Sequence, residues 1–235
     1  MVADALIYHP SVSHYLKFIA TTVGRDKLLR TLQYFSRFYA WYLYRMNSPQ
    51  TAITPFEATK KQFGAARKLL RVGKFVEHFK AAAVASDAKG VDPVLKFLTV
   101  GRQLGYAMYM VMDNACVLDS TSIRKFSTAP RLSREATRAW FTGLSFSIAS
   151  SLYSLYNLQT RAQTITSSGD PEKVVEKKKV DKEMDALKVQ LVSDVCDIMI
   201  PSTALGWIGL DEGFVGLAGT TSSLIGVWSQ WKKTA

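Results

Sequence analysis

Residues 54–85 read TPFEATKKQFGAARKLLRVGKFVEHFKAAAVA, and the periodicity of this stretch decides the class of the chain. Ala65, Leu69, Val72, Val76, Phe79 and Ala83 recur three or four residues apart. At 100° per residue they fall on one stripe of an α-helix. Lys60, Arg67, Arg71, Lys74 and His78 fall together on another flank, with Phe63 and Leu70 between. Thr54, Pro55 and Glu57 have the form of a helix start: a capping side chain, a proline at the first helical position and a reciprocal glutamate. Two readings fit the pattern. One is a helix of an all-α bundle with a solvated charged side; the other is a basic amphipathic helix lying on an anionic membrane.

Two details favour the membrane reading. Gly64 and Gly73 each weaken a helix by about 1 kcal/mol relative to Ala, so the helix is conditional. From residue 56 to 80 there are seven Lys or Arg against two Glu. Each such cation contributes about 1 kcal/mol near an anionic surface, screened by salt. Fully burying a large apolar side chain adds about 1.5–3 kcal/mol, and less at an interface. Binding should therefore need both the charge and the stripe.

The whole chain has 235 residues and a net charge of +11, which suits an anionic membrane surface or nucleic acid. Residues 1–138 carry 21 basic and 9 acidic side chains, whereas residues 161–197 carry 7 and 8. Two cysteines, Cys116 and Cys196, make neither a disulfide framework nor a metal spacing. Lys17 and its polar neighbours break any apolar core near the start, so no secretory signal is expected.

The pattern predicts an all-α membrane protein in two regions. Residues 1–138 form a basic helical region, with short helices at Val12–Ala20 and Arg25–Tyr44, the amphipathic helix at about 55–85, and a further apolar helix at Val94–Leu118. In the second of these, Leu28, Leu32, Phe35, Tyr39 and Tyr42, widened by Tyr34, Phe38 and Trp41, read as core packing. The interleaved arginines come with no nucleic-acid motif, so no nucleic acid is expected. Residues 139–235 form a membrane region. Its segments 139–160 and 213–231 are uncharged for 22 and 19 residues. At 1.5 Å per residue the first would cover a hydrocarbon core of about 30 Å. Gly143, Ser147 and Ser151 in one segment, and Gly216, Thr220 and Ser223 in the other, give small-residue faces for close helix contact. A loop at 164–175 and a charged helix at 172–191 lie between them. With two spans both termini share a side, and the positive-inside count makes that side the cytosol.

Catalytic chemistry has no foothold in the pattern. His9, His14 and His78 share no ligand spacing, and there is no HExxH, P-loop or nucleophile elbow. No enzyme activity, cofactor or metal is expected.

Tyr8–Val12 (YHPSV), Gly24–Arg30 (GRDKLLR) and Leu32–Tyr34 (LQY) resemble the opening of the peroxin-eleven family, and the resemblance runs over essentially the whole chain. It implies a peroxisomal membrane protein, both termini cytosolic, that elongates and remodels the membrane and promotes peroxisome proliferation and fission. Lys60, Arg67, Arg71, Lys74 and His78 would then bind lipid head groups, while Leu69, Val72, Val76 and Phe79 enter the acyl boundary. The resemblance further implies self-association, a dynamin-related fission GTPase and the peroxisomal membrane-protein chaperone as partners. The alternative is a pore for small metabolites. Glu77 and Lys80 stand near the apolar stripe, and Lys232–Lys233–Thr234–Ala235 has dilysine form.

Overall fold

The computed structural model describes residues 7–166 and 171–235. The expected loop at 164–175 falls partly on residues 167–170, outside the described residues. The described residues form helices and turns, with no strand among them. In chain order the helices are α1 (Pro10–Ala20), α2 (Thr22–Arg45), α3 (Gln50–Leu70), α4 (Phe75–Asp87), α5 (Pro93–Ala115), α6 (Val117–Ser120), α7 (Ala129–Thr166), α8 (Pro171–Ala204) and α9 (Glu212–Thr234). They belong to two compact units, 1–71 with 209–235 and 72–208.

The single helix expected at 55–85 is two helices. Gly73 adopts φ +80°, a left-handed conformation open to glycine at little steric cost, and the chain breaks between Leu70 and Phe75. The expected start at Thr54 is also displaced. The helix begins at Gln50 and carries Pro55 inside it, while Thr54 Oγ1 donates back to the Gln50 carbonyl at 2.8 Å instead of capping. A hydroxyl bonding the carbonyl four residues back is the helix-interior habit of threonine.

In the first unit α2 lies between α3 and α9. Helices α2 and α9 run antiparallel in close contact: Gly213 faces Trp41, Gly216 faces the Phe38 backbone, Gly219 faces Tyr34 and Gly226 faces Lys27. A Cβ at Gly216 would stand 2.6 Å from the Phe38 nitrogen, so only glycine allows this approach. Ser223 is fully buried in the same seam, and Thr220 is half-buried with its hydroxyl on the Gly216 carbonyl at 2.7 Å. Tyr34, Arg30, Ser36 and Ala40 are the buried residues of α2 toward its neighbours. Leu32, Phe35 and Tyr42, expected in the core, are exposed on its third side.

In the second unit α4 packs on α5, α5 on α7 and α7 on α8. Asp92 starts α5 by accepting from the Val94 and Leu95 nitrogens. Helices α5 and α7 cross backbone to backbone, with a Cβ at Gly105 only 2.7 Å from Gly143 Cα. Ser147 and Ser151 are buried further along α7.

Both uncharged runs, 139–160 and 213–231, are therefore helical, inside α7 and α9. Among the described residues no helix is long and apolar enough to cross a membrane. The serines and glycines that allow close packing dilute the apolar character that a span needs.

Gly216→Ala should lower stability by about 1–3 kcal/mol, because the methyl group must push α2 and α9 apart. Gly209→Ala, where nothing lies within 4 Å, is the control. Thermal unfolding in detergent checks this, and equal melting temperatures for the two variants would contradict the close contact.

Candidate membrane interface

The two flanks read from residues 54–85 are inverted relative to water. Leu69, Val72, Val76 and Phe79 are 53%, 59%, 58% and 41% exposed, whereas Arg67 is 8% exposed. The apolar stripe faces out and part of the basic flank faces in.

Arg67 shows how this comes about. Its Nε donates to Asp26 Oδ1 at 3.0 Å and its Nη1 to Gln33 Oε1 at 2.6 Å, both groups on α2. Arg71 Nε bonds the Arg67 carbonyl at 3.2 Å. Burial opposes the charged form of Asp26, but the positive charges of Arg67 and Arg71 outweigh it and hold the carboxyl below its ordinary range. Burial in turn pulls the Arg67 guanidinium down, with Asp26 opposing. Arg67 is thus committed to an internal ion pair. Its expected role at lipid head groups is corrected, because the guanidinium is buried against α2 and its charge is paired there.

His78 is also turned inward. Its Nδ1 lies 2.8 Å from Gln103 Oε1, and its ring stacks on Tyr106 with centroids 5.5 Å apart. It therefore pins α4 to α5, a correction to its expected head-group role. Lys60 is half-exposed and lies 3.6 Å from Glu212, which Arg37 also holds at 2.6 Å. Arg71 and Lys74 are half-buried.

The second unit also buries polar groups beside apolar ones such as Leu144 and Val180. Ser147 Oγ donates to Asp194 Oδ2 at 2.6 Å, and Gln190 donates to its other oxygen at 2.8 Å. Burial pushes the Asp194 carboxyl up, partly opposed by these bonds and by Arg102. The Arg102 guanidinium lies over the Tyr106 ring, 5.8 Å from its centroid, and burial drives that phenol well above its ordinary value. Outside, Val94, Phe97, Leu104 and Met108 of α5 are exposed at helical spacing. An arrangement with carboxylates and guanidinium groups inside and aliphatic and aromatic stripes outside suits a surrounding less polar than water.

Comparison with known proteins agrees with that chemistry. Residues 12–231 match the model of the family "Peroxisomal biogenesis factor 11 (PEX11)". The chain belongs to the PEX11 family. It is 30% identical to the peroxisomal membrane protein PMP27 of Saccharomyces cerevisiae, over all of both chains. It is 30% identical to PMP30B of Candida boidinii, over all of this chain and 99% of that one. It is 22% identical to peroxisomal membrane protein 11A of Bos taurus, over 91% and 94% of the two chains. No solved structure matches the chain. This PEX11 member thus shares its full length with proteins named for the peroxisomal membrane.

Asp26, Gln33 and Gln103 were not singled out by sequence pattern. One signal was present: Asp26 is the sole acidic residue between Asp4 and Glu57. A lone acid in a basic region is a natural partner for a buried arginine.

The two buried carboxylates give opposite pH dependences. Asp26 is depressed, so its contribution is present above the unfolded carboxylate value near 3.9 and is lost as pH falls through its lower folded value. Asp194 is raised, so its contribution is greatest below about 3.9 and declines as pH rises through its folded value. At neutral pH Asp26→Asn should cost about 3–5 kcal/mol by stranding Arg67. Asp194→Asn, which keeps an acceptor for Ser147, should be neutral or stabilising. Thermal melts across pH check the pair, and a large loss in Asp194→Asn at neutral pH would contradict the assignment.

Proposed function

We propose that this chain remodels the peroxisomal membrane, inserting exposed apolar side chains at the end of α3 (Leu69) and at and before α4 (Val72, Val76, Phe79) into one leaflet and so promoting membrane elongation, proliferation and fission. The observation that carries this reading is the exposure of Leu69, Val72, Val76 and Phe79 beside the inward-turned Arg67 and His78. Helices that leave apolar side chains uncovered gain from a leaflet that can cover them, and insertion into one leaflet alone expands that leaflet and favours curvature. Lys60, Arg71 and Lys74, with Lys61, Lys68 and Lys80, flank the stripe in sequence and attract anionic phospholipid head groups. The apolar parts of α7 and α9 hold the chain in the membrane.

The same reading puts both termini in the cytosol, because basic charge is concentrated in residues 1–138 and at Lys232–Lys233. It includes self-association and, through the family, the dynamin-related fission GTPase and the peroxisomal membrane-protein chaperone as partners. A second reading, a pore for small metabolites, draws support from the polar interior around Arg102 and Asp194. Solute leakage from protein-bearing vesicles would favour it.

Added to vesicles rich in anionic phospholipid, the full-length protein should draw tubules, and Leu69→Glu with Val76→Glu should abolish most of them. Both positions are exposed, so the folded structure should survive the change. Electron microscopy with a far-ultraviolet dichroism control checks this. Undiminished tubulation by the folded double variant would contradict the insertion of this stripe.

A further inference from the structure

The α2–α9 pair has an apolar side separate from the exposed residues Leu69, Val72, Val76 and Phe79. Leu32 and Phe35 of α2 are exposed, and so are Phe214, Leu217, Leu224 and Trp228 of α9. Glu212 meets both Arg37 and Lys60, which marks the side of the pair where α3 lies. Counting 100° per residue from these contacts, in antiparallel helices, the two exposed stripes fall together on the opposite side. They form one face.

We propose that this face lies in the plane of one anionic phospholipid leaflet, at the boundary of head groups and acyl chains, and that α9 does not cross the bilayer. The proposal rests on the membrane location argued above. Three observations carry it. First, the glycine seam of α9 is filled by α2 from Trp41 to Lys27, so α9 cannot be threaded through the bilayer without α2. Helix α2 would carry Arg25, Lys27, Arg30 and Arg37 into the hydrocarbon, where charge is expensive. Second, α9 lacks the apolar length to cross. Third, the charges around the face complement an anionic surface. The stripes contain no acidic residue, Arg25 and Lys232 border them at one end, and Arg45 ends α2 at the other. The Lys232 ammonium lies over the Trp228 ring, 4.7 Å from its centroid, which pairs an interfacial aromatic with a head-group cation. The two acids within the pair, Asp26 and Glu212, stand away from the face and are paired with Arg67 and Arg37.

The test uses nitroxide labels on the full-length protein in a Cys116→Ser, Cys196→Ser background. Phe35→Cys, Phe214→Cys, Leu217→Cys, Leu224→Cys and Trp228→Cys are labelled one at a time. Each is bound to phosphatidylcholine vesicles containing phosphatidylinositol, and depth is read from relaxation by oxygen and by a nickel chelate. The expected result is one shallow depth, about 5–10 Å below the head groups, at all five positions. A depth that rises from 214 to the middle of α9 and falls again by 228 would mean a crossing helix and overturn the proposal. Labels that stay open to the nickel chelate, or that broaden through contact between two protein copies without entering lipid, would overturn it as well. Tubulation measured on the same vesicles separates this from the functional reading. Uniform shallow depth without tubules supports the in-plane face and contradicts remodelling, and graded depth with tubules does the reverse.

Discussion

The ion pair between Arg67 and Asp26 determines which way the end of α3 faces. Once the Arg67 guanidinium is drawn between α3 and α2, where Gln33 completes its bonding, helical geometry leaves little freedom for its neighbours. Leu69 stands two residues, or 200°, further round, and is turned out. His78 acts similarly in α4: its bond to Gln103 and its stacking on Tyr106 turn Val76 to the opposite side. Polar attachment inside thus produces apolar exposure outside. In water this arrangement is costly on both counts, since it desolvates charge and leaves aliphatic surface uncovered. Beside a leaflet the second cost becomes the driving force.

The same inversion recurs away from the basic stretch. On α2 the buried residues include Arg30 and Ser36 while Leu32 and Phe35 are exposed. On α8 Ser193 and Asp194 are buried while Val189 and Val192 are exposed. Close packing adds to the apolar burial of Phe18, Leu144, Val180 and Val215. Gly105 against Gly143 and Gly216 against Phe38 bring backbones together, and gains in dispersion from such contacts do not depend on water. That feature fits membership of a family whose named relatives are proteins of the peroxisomal membrane.

Much of the fold was legible in sequence, and the reasons it was not wholly so are physical. Apolar residues at helical spacing located α2, whichever way they face, and long runs of low charge located α5, α7 and α9. It could not say which side of a stripe is covered, so Leu32, Phe35 and Tyr42 were expected in the core. The pairing of Arg67 with Asp26 spans 41 residues and leaves no local trace beyond a lone acid among bases. Gly73 was visible as a weak point, but a helix interior tolerates glycine, as Gly64 shows by admitting the Gln33 side chain. Only the left-handed conformation at Gly73 ends α3. Small residues at three- and four-residue spacing marked helix contacts, yet the same composition removed the apolar length that a span requires.

The most direct test of the inverted arrangement is photolabelling from within the bilayer. Full-length protein on anionic vesicles would be cross-linked by phospholipids carrying a diazirine in the acyl chain, and modified residues located by mass spectrometry. The account predicts adducts at Leu69, Val72, Val76 and Phe79 and none at Arg67 or His78. Adducts on the Arg67 and His78 flank, with the apolar stripe unlabelled, would contradict it.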